Sequence, residues 1–222
     1  HDLMAELKAV AEQAPGAGGI LHLGATSTDI SDNADVLRVQ ESLQVILDGL
    51  ESVLGAFAQK MEAWADVPTM GYTHLQPAEP TTLGYRFAQT ARDLFEDWQI
   101  LKGLKQSLRG KGFKGAVGTG ASFGELIGVE ALPAFEKRLG EHLGLSFYSV
   151  STQTYPRKQD YRVLCALAGL GASLYKFAFD LRLMSSPNFG EMNEGFRKKQ
   201  VGSSAMPFKR NPIRAEKINS LG

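Results

Sequence analysis

"NADVLRVQESLQVILDGLESVLGAFAQKMEAWAD", residues 33–66, decides the architecture of this chain. Val36, Val39, Leu43, Ile46, Leu47, Leu50, Val53, Leu54, Phe57, Met61 and Trp64 recur at steps of three and four, which puts them in one stripe along a helix. Ser31 or Asp32 offers a short oxygen side chain to the free N–H groups at its start. Pro68 ends it, because proline cannot continue the helical ladder. At about 1.5 Å per residue such a helix runs on the order of 50 Å, longer than a small compact domain covers by itself.

Two more stripes of this kind follow. One, after Pro80, runs through Leu83, Phe87, Ala91, Leu94, Phe95, Trp98, Leu101, Leu104 and Leu108, with the proline placed for a first helical turn. The other starts near Pro156 and carries Tyr161, Leu164, Leu167, Leu170, Leu174, Phe177, Leu181 and Met184 to a stop at "SSPN" (185–188). A short helix is expected after Pro133, and "LSFYSVSTQTY" (145–155), the one strand-like stretch, reads as an extended connection. The pattern predicts an all-α fold, an elongated bundle of long helices with part of its apolar surface set against other subunits.

The 24 Lys and Arg balance 24 Asp and Glu, so the chain lacks the basic excess that nucleic acid or an acidic membrane requires. "RKKQ" (197–200) and "KGFKG" (111–115) read as solvated loops. Cys165, the single cysteine, falls on an apolar helical face; it excludes an intramolecular disulfide and reads as a buried small hydrophobe in a reducing compartment. No unbroken apolar run reaches the ~18 residues of a membrane span, and no leader pattern precedes the first helix. A cytoplasmic protein is expected. The chain begins with His and ends on "KINSLG" as a new helical pattern starts, so it reads as a piece of a longer polypeptide.

Between the helices the polar residues collect in "HLGATSTDISDN" (22–33), "GYTHLQPAEPTT" (71–82), "GTGASFG" (118–124), "STQTYPRK" (151–158) and "VGSSAMPFKRNPIRAEK" (201–217). Loops held by a rigid scaffold are where chemistry usually sits. Taken alone, each fits a plainer role as well. "ATSTDISDN" is a good helix start; His74 suits a cap of the helix after Pro80 as well as a catalytic group. The glycine-rich interval fits a flexible connector or a cradle of N–H groups, and matches neither the phosphate loop with its Lys-Ser/Thr ending nor GxGxxG after a strand. The last loop fits a basic surface loop or a mobile lid. The four histidines are scattered, which gives no metal-ligand spacing.

Together, "GSSAMPFKRNP" (202–212), "GYTHLQPAEP" (71–80) and "GATSTDISDN" (24–33), in that family's order and separated by long helices, resemble the conserved blocks of the fumarase/aspartase superfamily. "HLGATS", "KGAVGTGASF", "TQTYPRK", "LAGLGASLYK" and "SSAMPFKRNPIRAE" resemble its adenylosuccinate lyase branch. The resemblance implies that residues 1–25 end an N-terminal domain and 26–222 form the central helical-bundle domain, with the C-terminal part lying outside this chain. It implies a homotetramer whose active sites are shared between subunits. The implied substrates are succinyl nucleotides: adenylosuccinate gives AMP and fumarate, and the succinylated carboxamide ribotide of purine synthesis gives its carboxamide and fumarate. No cofactor or metal is implied, and no nucleic-acid or membrane partner.

Such a β-elimination needs a base for the proton next to a carboxylate, cations and N–H groups for the resulting dianion, and an acid for the leaving nitrogen. By resemblance the base is Ser203, with Ser204 beside it; the cation is Lys209; the acid is His74, paired with Glu216. His1 and Asp2 match a pair near the phosphate and leaving group. Thr26, Ser27, Thr73, Gln153, Asn211 and Lys217 match substrate contacts, Lys217 standing where the animal enzymes have Arg and so lacking its planar fork. Another fumarate-releasing lyase such as argininosuccinate lyase, or a non-catalytic derivative of the scaffold, are the alternatives.

Overall fold

The computed structural model describes residues 2–222. Its elements are α1 (Asp2–Gln13), α2 (Ser27–Ala63), β1 (Pro68–Thr73), β2 (Gln76–Thr82), α3 (Leu83–Ser107), β3 (Arg109–Gly110), α4 (Ala121–Ile127), α5 (Leu132–Leu143), β4 (Ser146–Phe147), α6 (Lys158–Met184) and α7 (Ile213–Leu221). The sheet content is an antiparallel hairpin, β1 with β2, and a two-residue parallel pair, β3 with β4. The all-α expectation holds, and the strand-like stretch at 145–155 supplies β4.

The chain forms two compact units. One is built from the chain up to Val45 together with Gly103–Arg162, the other from Ile46–Lys102 with Val163–Gly222. In the first, Val36, Leu43, Leu104, Leu108, Phe123, Leu145 and Tyr155 are buried. In the second, the buried residues include Leu47, Leu50, Phe57, Leu94, Leu101, Ala178 and Met184. There Phe57 packs on Phe87 and Phe177, ring centres 5.4 and 5.0 Å away, and Trp64 meets Phe87 edge-on at 5.2 Å. Tilted contacts of this kind add about 0.5–1.5 kcal/mol each beyond the buried area. The stripes of α2 and α3 therefore supply most of the buried residues, while of the α6 stripe Met184 is buried and Phe177 packs against Phe57 and Phe87.

Several local expectations change. The helix predicted from residue 33 starts at Ser27, so Ser31 and Asp32 lie inside it and cannot cap it. The cap is Asp29, whose carboxylate reaches back to the Thr26 N–H at 2.9 Å. Pro80 lies in β2 and not in a helical turn; α3 starts after it, with the Thr82 hydroxyl accepting from the Tyr85 N–H at 3.1 Å. "KGFKG" is not a solvated loop: Lys111 is fully buried and Lys114 nearly so, because α2 brings carboxylate and amide partners to it. Cys165 is exposed on α6.

α6 also differs from its reading in composition. An 18-residue window in it has a mean hydropathy of 1.4, enough by length and composition to cross a membrane, although only 11% of that window is buried within the chain. No unbroken apolar run exists because Lys176 and Asp180 interrupt it; they pair at 3.2 Å, one helical turn apart. Tyr161 and Leu164 of the predicted stripe are exposed.

Candidate active site

Thr26 and Ser27, expected to touch substrate, sit at the start of α2 in the first unit, where a buried ionic cluster fixes them. Asp29 accepts from the N–H groups of Lys114 and Gly115, both at 3.1 Å, as well as from Thr26. Lys111 pairs with the same carboxylate and donates to the Gly115 carbonyl at 3.0 Å. One turn on, the Asn33 amide bonds both the N–H and the carbonyl of Gly112 at 3.1 Å. A buried carboxylate and a buried ammonium are tolerable here because nearly every valence finds a partner. The glycine-rich interval is thereby folded onto the end of α2.

Gln153 is brought to the same place. The Thr28 hydroxyl donates to its carbonyl at 2.5 Å. Asp32 holds the following residues, accepting from the Tyr155 N–H at 3.0 Å and from Arg157 at 2.8 Å. The Tyr155 phenol donates to Asp160 at 2.6 Å, and burial with that carboxylate pushes its pKa well above the ordinary tyrosine value. Asp2 and Ser27 line one groove of about 490 Å³ beside Glu6 and Arg38. His1 lies outside the described residues.

In the second unit, His74 and Leu75 are the two turn residues of the β1–β2 hairpin, Thr73 opposing Gln76 across it. Both carry positive φ, 52° and 62°. A two-residue turn of that hand matches the twist of the strands but favours Asn and Gly; a His and a Leu there hold strained backbone, costing on the order of 1–2 kcal/mol each. The turn lifts the imidazole to an exposed tip.

The segment carrying Ser203 follows α6. Ser203 is half-buried, and its Oγ accepts from the Met206 N–H at 3.2 Å. The Lys209 N–H donates to the Met206 carbonyl at 2.9 Å, and the Asn211 amide reaches the Gly202 carbonyl at 3.4 Å. Gly202 sits so close to the Lys209 carbonyl that a Cβ would overlap it. These bonds are all local to the segment. Lys209, Asn211 and Glu216 line a cleft of about 660 Å³ together with Arg182 and Arg210, a concentration of cations suited to a carboxylate-bearing ligand. α7, which carries Glu216 and Lys217, starts after Pro212, which offers no side-chain cap; the Glu194 carboxylate supplies one, accepting from the Arg214 and Ala215 N–H groups at 3.2 and 2.6 Å.

The structure thus groups Thr26, Ser27 and Gln153 in one unit and Lys209, Asn211 and Glu216 in the other. Within the chain, among the described residues, no hydrogen bond joins His74 to Glu216, and neither His74 nor Ser203 lines the cleft. Ser204, Lys209 and Lys217 are exposed. The sequence reading missed Asp29, Lys111, Glu191 and Glu194. The Thr26-x-x-Asp29 capping pattern could have revealed the first, and the absence of a capping residue before α7 pointed to a distant substitute.

A family profile described as "Lyase" matches residues 2–222. The chain belongs to this lyase family. Among curated relatives it is 41% identical to the adenylosuccinate lyase of Schistosoma mansoni and 39% identical to that of Saccharomyces cerevisiae, in both cases over the whole of this chain and 46% of the relative. Of solved structures, the 3-carboxy-cis,cis-muconate lactonizing enzyme of Pseudomonas putida superposes with a TM-score of 0.84 at 31% identity, covering 98% of this chain and 47% of that one. The chain spans about half the length of the curated relatives it matches, and the lyase fold is shared along nearly all of it.

Proposed function

We propose that the full-length protein is an adenylosuccinate lyase that releases fumarate from adenylosuccinate and from succinylaminoimidazole carboxamide ribotide in purine biosynthesis. The reading is carried by one observation: curated adenylosuccinate lyases align over this entire chain at 39% and 41% identity. The roles of His74, Ser203, Lys209 and Glu216 are taken from the resemblance of their loops to the superfamily's motifs. Residues 26–222 form its central domain and 1–25 the end of the preceding one.

In this mechanism Ser203 removes the proton beside the substrate carboxylate. Serine is a weak base, and its alkoxide is favoured by the Met206 N–H that already points at Oγ and by the ammonium of Lys209. Lys209 and backbone N–H groups then stabilise the dianion. His74, oriented by Glu216, protonates the departing nitrogen. Thr26, Ser27, Thr73, Gln153, Ser204 and Asn211 contact the substrate, with Asp2 and His1 near its phosphate and Lys217 as a single-point cation. The reaction uses no cofactor.

The enzyme acts in the cytoplasm as a homotetramer with active sites shared between subunits, so that His74 and Ser203 need not meet within one chain. Support comes from the uncovered apolar side chains of the long helices, among them Val45, Ile100, Tyr161 and Leu164, which are 52–72% exposed in a single chain and fit a helix-on-helix interface. The test is an assay of the full-length protein and of Ser203→Ala and His74→Ala. Fumarate release from adenylosuccinate, abolished in both variants while sedimentation still reports a tetramer, is the expected result. Turnover of argininosuccinate instead, or near-normal activity in either variant, overturns the reading.

A further inference from the structure

The hairpin that carries His74 is poorly equipped to hold itself. β2 places Pro77 opposite Tyr72 and Pro80 opposite Met70, so its outer edge lacks an N–H at two positions and no further strand bonds there to steady it. The register slips between Met70 and Tyr72, where Gly71 allows the Glu79 carbonyl within 2.7 Å of the space a Cβ would fill. At the tip, both turn residues carry positive φ without being Asn or Gly. A two-stranded hairpin is marginal even with ideal turn chemistry, so this one needs an outside restraint.

That restraint is Glu191. Its Oε2 accepts from the Thr69 hydroxyl at 2.5 Å and its Oε1 from the Met70 N–H at 3.1 Å. Arg86 of α3 donates to the Met70 carbonyl at 2.6 Å, on the side of β1 turned away from β2, and pairs with Glu191 at 3.2 Å. Both side chains are about one-fifth exposed, so the pair is largely withdrawn from water. Glu191 is itself anchored: its N–H and that of Met192 both return to the Met184 carbonyl at the end of α6, at 3.1 and 3.3 Å. Phe189, two residues earlier, stacks edge-on against Tyr72 at 4.8 Å.

We propose that Glu191 is a positioning residue, which with Arg86 holds the outward-facing N–H and carbonyl of Met70, fixes β1 and so sets where His74 stands. It touches no reacting atom; it acts through β1. The inference rests on the catalytic role proposed for His74. Because Glu191 leads directly into the segment bearing Ser203, one carboxylate ties the acid-bearing turn of a chain to the base-bearing segment of the same chain.

The experiment uses the full-length protein and three variants: Glu191→Gln, Thr69→Val and Thr69→Ser. Thr69→Ser keeps the hydroxyl that Glu191 accepts from; the other two remove a partner. Backbone hydrogen exchange across residues 68–82 is expected to quicken in Glu191→Gln and Thr69→Val but not in Thr69→Ser, with α2 and α7 unchanged. Fumarate release should show kcat falling about ten- to a hundred-fold in the first two, the scale of an ångström-level misplacement, with KM within about twofold and Thr69→Ser restored. Wild-type exchange rates in Thr69→Val, an equal kcat loss in Thr69→Ser, or failure of Thr69→Val to assemble overturns the proposal. Exchange needs no substrate, so a wild-type protein that releases no fumarate defeats the proposed function and leaves the brace to be decided by exchange alone.

Discussion

The loop "KGFKG" at 111–115 and the loop "GSSAMPFKR" at 202–210 each set two cations among glycines and small residues, yet Lys111 is fully buried while Lys209 and Arg210 are exposed. The first is bonded at long range: Asp29 and Asn33, more than seventy-five positions earlier (79 to 86 residues), take its N–H groups and its ammonium. The second is bonded to itself, through Ser203 to Met206, Met206 to Lys209, and Gly202 to Asn211. Similar composition serves opposite ends. A loop whose polar groups are claimed by a distant helix is part of the fold; one whose bonds are internal can open without disturbing a core, as a lid over substrate must.

Substitutions should separate the two loops by the size of their effects. The largest is Lys111→Met, which strands the Asp29 carboxylate in a buried site. A loss of about 3–5 kcal/mol is expected, read as a shifted midpoint in urea unfolding; a loss below 1 kcal/mol would mean that the cluster is not a fixed part of the fold. Next comes Glu194→Ala, which removes the remote cap of α7. About 1 kcal/mol is expected, with amides of residues 214–216 exchanging faster than those of α2.

Tyr155→Phe, beside the first loop, should cost about 1 kcal/mol near neutral pH through the lost bond to Asp160. Its second effect concerns alkali. The folded phenol keeps its proton above the pH where the unfolded one, at its ordinary value of 10.0, releases it. The folded state therefore binds more protons there, so this contribution is intact below about pH 10 and declines as pH rises beyond it. Thermal melts of the variant across that range should fall less steeply than those of the wild type. The smallest effect on stability is that of Ser203→Ala, within about 0.5 kcal/mol as for most uncommitted polar positions, even though the same change is expected to abolish turnover.

What could be read from the sequence divides along similar lines. The stripes of α2, α3 and α6 were legible because burial repeats with the helical period, and the cores formed by Leu43, Leu94 and Met184 follow it. The fate of Lys111 was not, since nothing local tells a lysine among glycines that an aspartate from another element will meet it. Pro80 was misplaced because a proline suits an edge strand as well as a first helical turn. Cys165 and Leu164 lie on the predicted apolar face of α6, but that face is uncovered in one chain, and periodicity reports that a face is apolar without saying what covers it. The candidate site was named residue by residue from motifs, yet its supports were not. Glu191 and Glu194 act on elements 121 and 21 residues away, beyond the reach of any local pattern.

The prolines of β2 carry one more consequence, for the chain's dealings with its neighbours. A two-stranded hairpin has bare edges, and a bare edge with free N–H groups can recruit strands from other chains. Pro77 and Pro80 sit on an exposed strand and leave it without donors at those positions. While Glu191 holds the outer side of β1, these prolines keep the outer side of β2 from templating aggregation as the polypeptide folds.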